Sequence, residues 1–176
     1  MIMKLLIFGN IASGKSMLVS KVNNILKWKV VAIDDFRRVY GDGSKESELL
    51  ARRKFFDTIY TNVNQIIECT GVGKVGEELF FRLRNSNEKI VLVLLKVSQD
   101  ISKKRLINRT WDIPFPNPLE KVNPLIDKND VVINSRLIEK TWEAIPGIKI
   151  LVRENKNYEE LDSITNDLLL LLDHSV

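Results

Sequence analysis

The sequence predicts an α/β fold in which a parallel β-sheet carries helices on both faces. Short, almost continuously apolar runs alternate along the chain with longer segments of helical periodicity, and this alternation is typical of parallel sheets. A glycine-containing loop connects the first apolar run directly to a helical segment. The length of 176 residues, without a repeat or linker, indicates a single domain over residues 1–176.

Five strands are expected, because five apolar runs rich in β-branched residues are bounded by turn or helix signals. They are residues 2–8, 30–33, 65–70, 90–97 and 148–152. Apolar spacing predicts helices over residues 15–27, 47–63, 74–83, 102–109, 134–144 and 158–172. The buried face of the second helix should be formed by Leu49, Phe56, Ile59 and Val63. The last helix ends in five consecutive leucines, which predicts burial on several sides or contact with a second subunit as a homo-oligomer.

The composition is that of a globular protein, with 44% apolar and 28% charged residues and a net charge of +4. Cys69 is the only cysteine, so no intrachain disulfide can form and a reducing, cytoplasmic location is expected. With His174 as the only histidine, a structural zinc site is excluded. The N-terminal apolar run is too short for a signal peptide, and no apolar stretch approaches the ~18 residues of a membrane span.

Residues 9–16 read Gly-Asn-Ile-Ala-Ser-Gly-Lys-Ser, which fits the phosphate-binding (Walker A) pattern G-x-x-x-x-G-K-[ST]. Gly9 and Gly14 allow the backbone to bend and approach a phosphate closely. The N–H groups of the loop and the following helix N-terminus then favour an anion. Lys15 would reach the terminal phosphates, and Ser16 would offer its hydroxyl to Mg²⁺.

An acidic pair follows the second strand, at the sheet edge where ligands of parallel sheets bind. Asp34 lies nearest that edge and is expected to accept the proton of an attacking hydroxyl. Asp35 is expected to cap the next short helix. Arg37 either holds a phosphate of the acceptor or clamps the transferring group, or else is a solvated side chain.

Arg105 and Arg109 are four residues apart, so the pattern predicts that they share one helix face. A polyphosphate would relieve the repulsion between them, although a solvated helix face gives the same pattern. Residues 110–118 contain three prolines and two large aromatic residues, which indicates a stiff loop or lid rather than a helix. Trp111 and Phe115 either stack on a base or pack locally.

Together these motifs resemble the P-loop kinases of the nucleoside-monophosphate-kinase type, and among them most the polynucleotide 5′-hydroxyl kinases. The resemblance rests on residues 9–16, on Asp34-Asp35-Phe36-Arg37 and on Lys104-Arg105 with Arg109, and it covers about residues 1–115. It implies a three-layer P-loop NTPase fold of strand order 2-3-1-4-5 with a lid at about 103–118. It implies ATP and Mg²⁺ as cofactors. The catalytic residues implied are Lys15, Asp34 as base, Arg37 as acceptor contact, and Arg105 and Arg109 as lid cations. The nucleotide-binding residues implied are Gly9, Asn10, Ile11, Ala12, Ser13, Gly14, Lys15, Ser16, Met17, Arg105 and Arg109.

Two positions depart from that family pattern. Such kinases often carry an aspartate after the third strand, whereas this chain has Glu68 one position earlier. Side-chain alternation along a strand could turn Glu68 away from the ligand; alternatively Glu68 or Asp34 joins Ser16 around Mg²⁺. The acid expected after the fourth strand is missing, because Lys96 follows Leu94-Leu95.

The acceptor side is less specific in sequence. Residues 40–56 and the segment Thr70-Gly71-Val72-Gly73 are similar to stretches of phage-type kinases that phosphorylate hydroxymethylated bases in DNA. Arg52, Arg53 and Lys54 would then follow a nucleic-acid backbone, or they form a solvated helix face. The acceptor-binding candidates are Asp35, Arg37, Arg38, Arg52, Glu68 and Gly71.

The expected function is transfer of the γ-phosphate of ATP to a hydroxyl of a nucleic acid or nucleotide, either a 5′-hydroxyl or the hydroxymethyl group of a modified base. The cell would then be bacterial or phage-infected. Two alternatives stay open: a kinase for a small metabolite, nucleoside or nucleotide, and a regulatory module that binds ATP without transferring phosphate.

Overall fold

The computed structural model describes residues 2–59, 62–107, 109–114 and 121–173. Its strands are β1 Met3–Gly9, β2 Lys29–Ala32, β3 Gln65–Glu68, β4 Lys89–Lys96 and β5 Lys149–Glu154. Its helices are α1 Lys15–Leu26, α2 Ile33–Tyr40, α3 Lys45–Ile59, α4 Gly73–Arg84, α5 Gln99–Ile107, α6 Val122–Ile138 and α7 Glu160–Asp173, with a 3₁₀ turn at Thr141–Ala144.

All five strands pair in parallel, in the order β2-β3-β1-β4-β5. The predicted α/β class and strand order are therefore confirmed. β1 lies at the centre, where Ile7 is in register with Glu68 of β3 and with Val93 of β4. Because the strands are parallel, their carboxyl ends meet at one edge of the sheet, and that edge carries the site.

Two hydrophobic layers cover the sheet. Side chains alternate along β1, so that Leu6 and Phe8 join the layer under α3 and α4, whereas Leu5 and Ile7 join the layer under α1 and α7. The five consecutive leucines of α7 likewise divide between a buried and an exposed side of the helix. Leu168 and Leu172 are buried, and Leu170 is 59% exposed, so that the run is buried on one side and open on the other.

The second predicted helix is shifted in the structure. α3 ends at Ile59. Of the four residues predicted to form its buried face, Phe56 and Ile59 are buried, whereas Leu49 and Val63 are exposed. The prediction for Leu49 and Val63 is wrong because Glu48, not Leu49, turns inward, where it pairs with two arginines. Val63 lies beyond the helix end.

The helix predicted over residues 134–144 is also different in the structure. α6 starts twelve residues earlier, at Val122, and ends at Ile138. A left-handed backbone at Lys140 (φ 53°) then separates it from the 3₁₀ turn. Pro124 lies in the first turn of α6, where its missing N–H leaves no helical hydrogen bond unmade. Among the described residues, no helix combines the length and apolarity that a membrane crossing needs.

Candidate functional site

A cavity of about 850 Å³ opens at the carboxyl edge of the sheet. Its floor is the loop between β1 and α1, and its walls come from α2, the end of β3, the start of α4, and the segment after α5. Residues 11–17 of the predicted phosphate loop line the cavity. Gly9 and Asn10 lie outside the lining and support the loop from behind, as described below.

The phosphate loop has the backbone that its glycines predict. Gly14 has φ +96° and is the N-cap residue of α1. A Cβ atom there would lie 2.3 Å from Nδ2 of Asn155, so both conformation and space require glycine. At Gly9 a Cβ atom would lie 2.6 Å from the carbonyl oxygen of Leu95. The loop therefore passes too close to its neighbours for any other residue at these two positions.

Lys15 begins α1 and lies inside the cavity. Its Nζ donates a hydrogen bond to the carbonyl oxygen of Asn10 at 2.8 Å, which places the ammonium group across the loop. Burial lowers the pKa of Lys15, and the nearby carboxylates of Glu68 and Asp34 act in the opposite direction. Because desolvation disfavours this buried cation in spite of the two carboxylates, a phosphate group bound beside it would stabilise it further.

Ser16 and Glu68 are in direct contact. Ser16 Oγ donates a hydrogen bond to Oε1 of Glu68 at 2.7 Å, so Glu68 faces the ligand and does not turn away from it. Burial raises the pKa of Glu68, and Lys15 and Ser16 partly offset that effect. A hydroxyl and a carboxylate oxygen side by side are the hard donors that Mg²⁺ prefers. The pair therefore fits the metal, with the remaining positions open to phosphate oxygens and water.

Asp34 lies in the first turn of α2 and faces the cavity. Its Oδ1 accepts a hydrogen bond from Nη1 of Arg37 at 2.9 Å. The prediction that Asp35 caps α2 is wrong, because the N-cap residue is Ala32 and Asp35 is already helical. Asp35 instead accepts a hydrogen bond from Nη1 of Arg38 at 2.9 Å, the i, i+3 pairing of a helix surface.

Arg37 is held by Glu48 of α3 as well as by Asp34. Its Nε donates to Oε2 of Glu48 at 3.0 Å, and its Nη2 donates to Oε1 at 2.8 Å. Arg52, one turn along α3, donates from Nε to Oε1 of the same carboxylate at 2.7 Å. Burial acts to lower the pKa of Arg37, but Glu48 and Asp34 outweigh it and the pKa rises. Burial acts to raise the pKa of Glu48, but the two arginines outweigh it and the pKa falls.

Arg38 joins α2 to the segment 109–114. Its Nε donates to Oδ2 of Asp112 at 2.8 Å, and this hydrogen bond lowers the pKa of Asp112. Next to Asp112, Ile113 is buried and lines the cavity. These contacts join the segment 109–114 to α2 beside the cavity. Arg53 and Lys54 are exposed on α3 and lie outside the cavity lining, whereas Arg52 belongs to it.

Arg105 and Arg109 both line the cavity, but they do not share a helix face. α5 ends at Ile107, so Arg109 belongs to the following segment and the predicted i, i+4 arrangement is wrong. Arg105 donates to the carbonyl oxygens of Ala12 at 3.1 Å and Asn155 at 3.0 Å. It therefore connects the phosphate loop to the end of the sheet.

Arg109 lies over a ring, with its guanidinium carbon 5.9 Å from the centroid of Trp111. Trp111 itself packs against a small cluster that contains Leu106 and Ile126, which is the local packing that the sequence left open as an alternative. Of the predicted lid over 103–118, residues 103–107 and 109–114 are described. Asn108, Phe115 and residues 116–118 lie outside the described residues.

The turn after β3 contains Gly71, with φ +76°. A Cβ atom at Gly71 would lie 2.5 Å from the ring of Phe8, and the carbonyl oxygen of Gly71 accepts a hydrogen bond from Arg136. The cavity wall is formed here by Thr70 and Val72. Gly71 thus shapes the turn and faces the core, so its predicted contact with an acceptor has no support in this geometry.

Two asparagines that the sequence reasoning missed hold the phosphate loop in place. Asn129 of α6 donates to Oδ1 of Asn10 at 3.3 Å, and Asn10 donates to the carbonyl oxygen of Ile126 at 2.8 Å. Asn155 donates from Nδ2 to the carbonyl oxygen of Ser13 at 2.7 Å. The position of Asn155 directly after β5 was a usable signal, because ligands of parallel sheets bind beyond the carboxyl ends of the strands. No comparable signal marks Asn129.

No protein-family model and no curated protein matches the chain. Solved structures do match along nearly its whole length. A protein from Chloroflexus aurantiacus j-10-fl that is provisionally named a kinase has a TM-score of 0.64 at 15% identity, with 98% of this chain and 97% of that chain covered. Shikimate kinase from Acinetobacter baumannii in complex with shikimate has a TM-score of 0.62 at 13% identity, with 98% and 94% covered.

Deoxyadenosine kinase from M. mycoides, solved with the products dCMP and a flexible dCDP, has a TM-score of 0.58 at 15% identity, with 97% of this chain and 99% of that chain covered. At these identities the similarity is one of fold. The chain therefore has the α/β fold of P-loop kinases, with the five-stranded parallel sheet that this fold requires.

Proposed function

We propose that the protein is an ATP- and Mg²⁺-dependent kinase that transfers a phosphoryl group to a hydroxyl of a small acceptor. The observation that carries this proposal is the convergence of three features on one cavity. These are the buried Lys15 of the phosphate loop, the Ser16–Glu68 contact, and the Asp34 carboxylate on the opposite wall. They are the phosphate-binding, metal-binding and proton-accepting groups of phosphoryl transfer.

The donor phosphates would be bound by the loop. The backbone N–H groups at the start of α1 favour an anion, and Lys15 would exchange its contact with the Asn10 carbonyl oxygen for a phosphate oxygen. Arg105 and Arg109 line the same side of the cavity and can neutralise the charge that spreads over the transferring group. Ser16 and Glu68 would hold Mg²⁺, which when bound neutralises phosphate charge.

Asp34 would act as the general base. The acceptor hydroxyl gives its proton to the Asp34 carboxylate as its oxygen forms a bond to the γ-phosphorus, and the bond to the bridging oxygen breaks so that ADP leaves. The hydrogen bond from Arg37 to Oδ1 fixes the rotamer of Asp34, and Glu48 in turn fixes Arg37. The carboxylate is therefore oriented before any acceptor binds.

A small acceptor fits a cavity of about 850 Å³ that is bordered beside α2 by the Arg38–Asp112 contact and the buried Ile113. A polynucleotide hydroxyl is the second candidate. It is supported by the resemblance of the phosphate loop and the Asp34–Arg37 segment to polynucleotide 5′-hydroxyl kinases, and by the exposed Arg53 and Lys54 on α3. A strand of nucleic acid would require the Arg38–Asp112 contact to open.

Transfer of label from γ-labelled ATP to a panel of acceptors tests the proposal. The panel contains nucleosides, nucleoside monophosphates, sugars and sugar acids, 5′-hydroxyl DNA and RNA, and DNA with hydroxymethyluracil. Label in a small molecule, lost in Lys15→Ala, is the expected result. Label in nucleic acid alone would favour the second candidate. ATP binding without label in any acceptor would contradict the proposal and favour an ATP-binding regulatory module.

A further inference from the structure

We propose that the acceptor is an uncharged hydroxyl compound, and that the chain selects against acceptors carrying a phosphate or carboxylate near Asp34. This inference deepens the proposed function and rests on it. It comes from three arginines of α2 and α3 that line the cavity. Each of them, Arg37, Arg38 and Arg52, already binds a carboxylate of the protein.

Arg37 uses all three of its nitrogen atoms within the protein. Nε and Nη2 grip both oxygens of Glu48, at 3.0 and 2.8 Å, and Nη1 donates to Asp34 at 2.9 Å. The guanidinium plane thus presents its fork of donors, which recognises planar anions, to a carboxylate of α3. An anionic acceptor group would have to take the position that Glu48 holds.

Glu48 cannot easily give up that position. Its side chain is only 5% exposed and binds Arg52 as well as Arg37, so it acts as a built-in anion between two cations. Displacement by an acceptor anion would leave a buried carboxylate without its partners, and an unpaired buried charge is strongly unfavourable. The arginine pair is therefore better described as the support of Asp34 than as an anion receptor.

Arg38 is likewise paired with carboxylates of the protein. Arg38 binds Asp35 at 2.9 Å and Asp112 at 2.8 Å. Among the described residues of this wall, three arginines thus face four carboxylates: Asp34, Asp35, Glu48 and Asp112. Lys74 also lines the cavity, but it is exposed at the start of α4. Lys15 and Arg105 contact the phosphate loop at Asn10 and Ala12, where the phosphates of the donor would lie. Arg109 begins the segment 109–114 and lies over the ring of Trp111.

Several buried apolar residues also line the cavity near the arginines of α2 and α3. Ala32, Ile33, Val72, Val75 and Ile113 are buried residues that line the cavity. An acceptor with an uncharged ring or carbon chain would bury apolar surface against them, which favours binding. A hydroxyl of that acceptor would then reach Asp34, the one hydrogen-bond acceptor required for proton removal.

Matched pairs of acceptors separate charge from shape. The pairs are thymidine with thymidine 5′-monophosphate, and sorbitol with gluconate. Binding is measured by calorimetry with Mg²⁺ and a non-hydrolysable ATP analogue present, and transfer is measured with γ-labelled ATP. We expect the uncharged member of at least one pair to bind at least 10-fold more tightly than its charged partner. Equal binding, or tighter binding of the charged members, would overturn the inference. Binding of an uncharged member without any transfer would instead contradict the proposed function.

Glu48→Gln tests the cause of the selection. The amide keeps a hydrogen-bond acceptor for Arg37 but removes the built-in charge, so binding of the charged members should improve at least 10-fold. The control is Glu46→Gln, on the same helix but exposed, and it should leave the preference unchanged. Unchanged rejection of charged acceptors in folded Glu48→Gln would overturn the inference.

Arg52→Gln provides an independent check if Glu48→Gln does not fold. Because Glu48 then keeps Arg37 as its partner, the preference for uncharged acceptors should persist or increase. If charged acceptors were in fact recognised by Arg52, this variant would weaken their binding selectively, and that result would overturn the inference.

Discussion

Ser16 Oγ donates a hydrogen bond to Oε1 of Glu68 at 2.7 Å, which joins the first turn of α1 to the last residue of β3. The two residues are separated by most of the first half of the chain, yet β1 pairs with β3 and brings both to the same sheet edge. We propose that this contact supplies oxygen donors for Mg²⁺ in place of the acid that is missing after β4.

We expect Glu68→Gln to raise the Mg²⁺ concentration needed for half-maximal activity by about 10- to 100-fold, the usual effect of losing a group that supports a metal. The amide can still accept the hydrogen bond from Ser16, so the loop should stay in place. The measurement is a Mg²⁺ titration of phosphoryl transfer. Glu77→Gln, whose side chain is 67% exposed on α4, is the matched control. An unchanged Mg²⁺ requirement in Glu68→Gln would remove this residue from the metal site.

Lys15→Ala should lower kcat/KM by about 10²- to 10³-fold, the magnitude seen when one preorganised donor to a developing charge is removed. Burial of the Lys15 ammonium group is unfavourable and lowers its pKa. Because the substitution removes this buried charge, the free energy of unfolding without nucleotide should not fall. Steady-state kinetics and thermal unfolding test the two effects together. Lys21→Ala, on the same helix but paired with Asp162, should keep its activity; a comparable loss there would mean that the effect is not specific to the loop.

Gly14→Ala should weaken nucleotide binding and destabilise the protein by roughly 2–4 kcal/mol, since a left-handed backbone and a close contact both oppose the new methyl group. The Cβ atom would lie 2.3 Å from Asn155 Nδ2. Gly73→Ala is the control, because Gly73 also has a left-handed backbone (φ +63°) but no atom within 4 Å of the new Cβ. Only the backbone cost of about 1–2 kcal/mol should appear there. Equal losses would mean that the Asn155 contact is unimportant.

The stability provided by Glu48 should depend on pH in a defined direction. Its pKa in the folded protein is below the ordinary value, so its contribution is complete above the ordinary carboxyl pKa of about 4.3 and is lost as the pH falls through the folded value. We expect Glu48→Gln to lower the free energy of unfolding at pH 7 by about 3 kcal/mol.

Urea unfolding of Glu48→Gln and the parent protein at pH 7 and pH 3 measures this effect. The difference between the two proteins should shrink at pH 3, because the unfolded state then binds a proton at Glu48 that the folded state binds less readily. A difference that is constant across this range would show that charge pairing with Arg37 and Arg52 is not the cause of the stabilisation.

The fold and the phosphate loop were predictable because their signals are local in sequence. The strands are continuous apolar runs, and the loop pattern fixes glycine, lysine and serine at positions only a few residues apart. The ion pair between Arg37 and Glu48 was not predictable, since nothing in the spacing of apolar residues along α3 indicates that an acid should face inward. Leu49 was therefore placed on the buried face, which Glu48 occupies instead, whereas Phe56 and Ile59 are buried as predicted.

The metal side shows a second limit. Glu68 was left open as facing away because it stands one position before the acid usual in such kinases. Alternation along β3 places Glu68 on the same face as Ile66, which packs under α1, so the carboxylate reaches Ser16. Arg109 was predicted to share a helix face with Arg105 because the two are four residues apart. That spacing indicates one face only if the helix continues, and α5 ends at Ile107. The supporting contact of Asn129 depends on tertiary packing alone, whereas the position of Asn155 directly after β5 was a usable signal.

The central claim is that Asp34 takes the proton of an acceptor hydroxyl while the phosphate loop holds ATP. Single-turnover label transfer and equilibrium ATP binding should be measured in parallel for Asp34→Asn and Asp35→Asn. These neighbouring variants form a matched pair, because each aspartate accepts a hydrogen bond at 2.9 Å from the arginine three positions later. They differ in that the carboxylate of Asp34 acts to raise the pKa of Lys15. The account predicts that Asp34→Asn loses about 10²- to 10⁴-fold in transfer with ATP affinity retained, and that Asp35→Asn keeps most of its transfer. Retained transfer in Asp34→Asn, or equal losses in both variants, would contradict it.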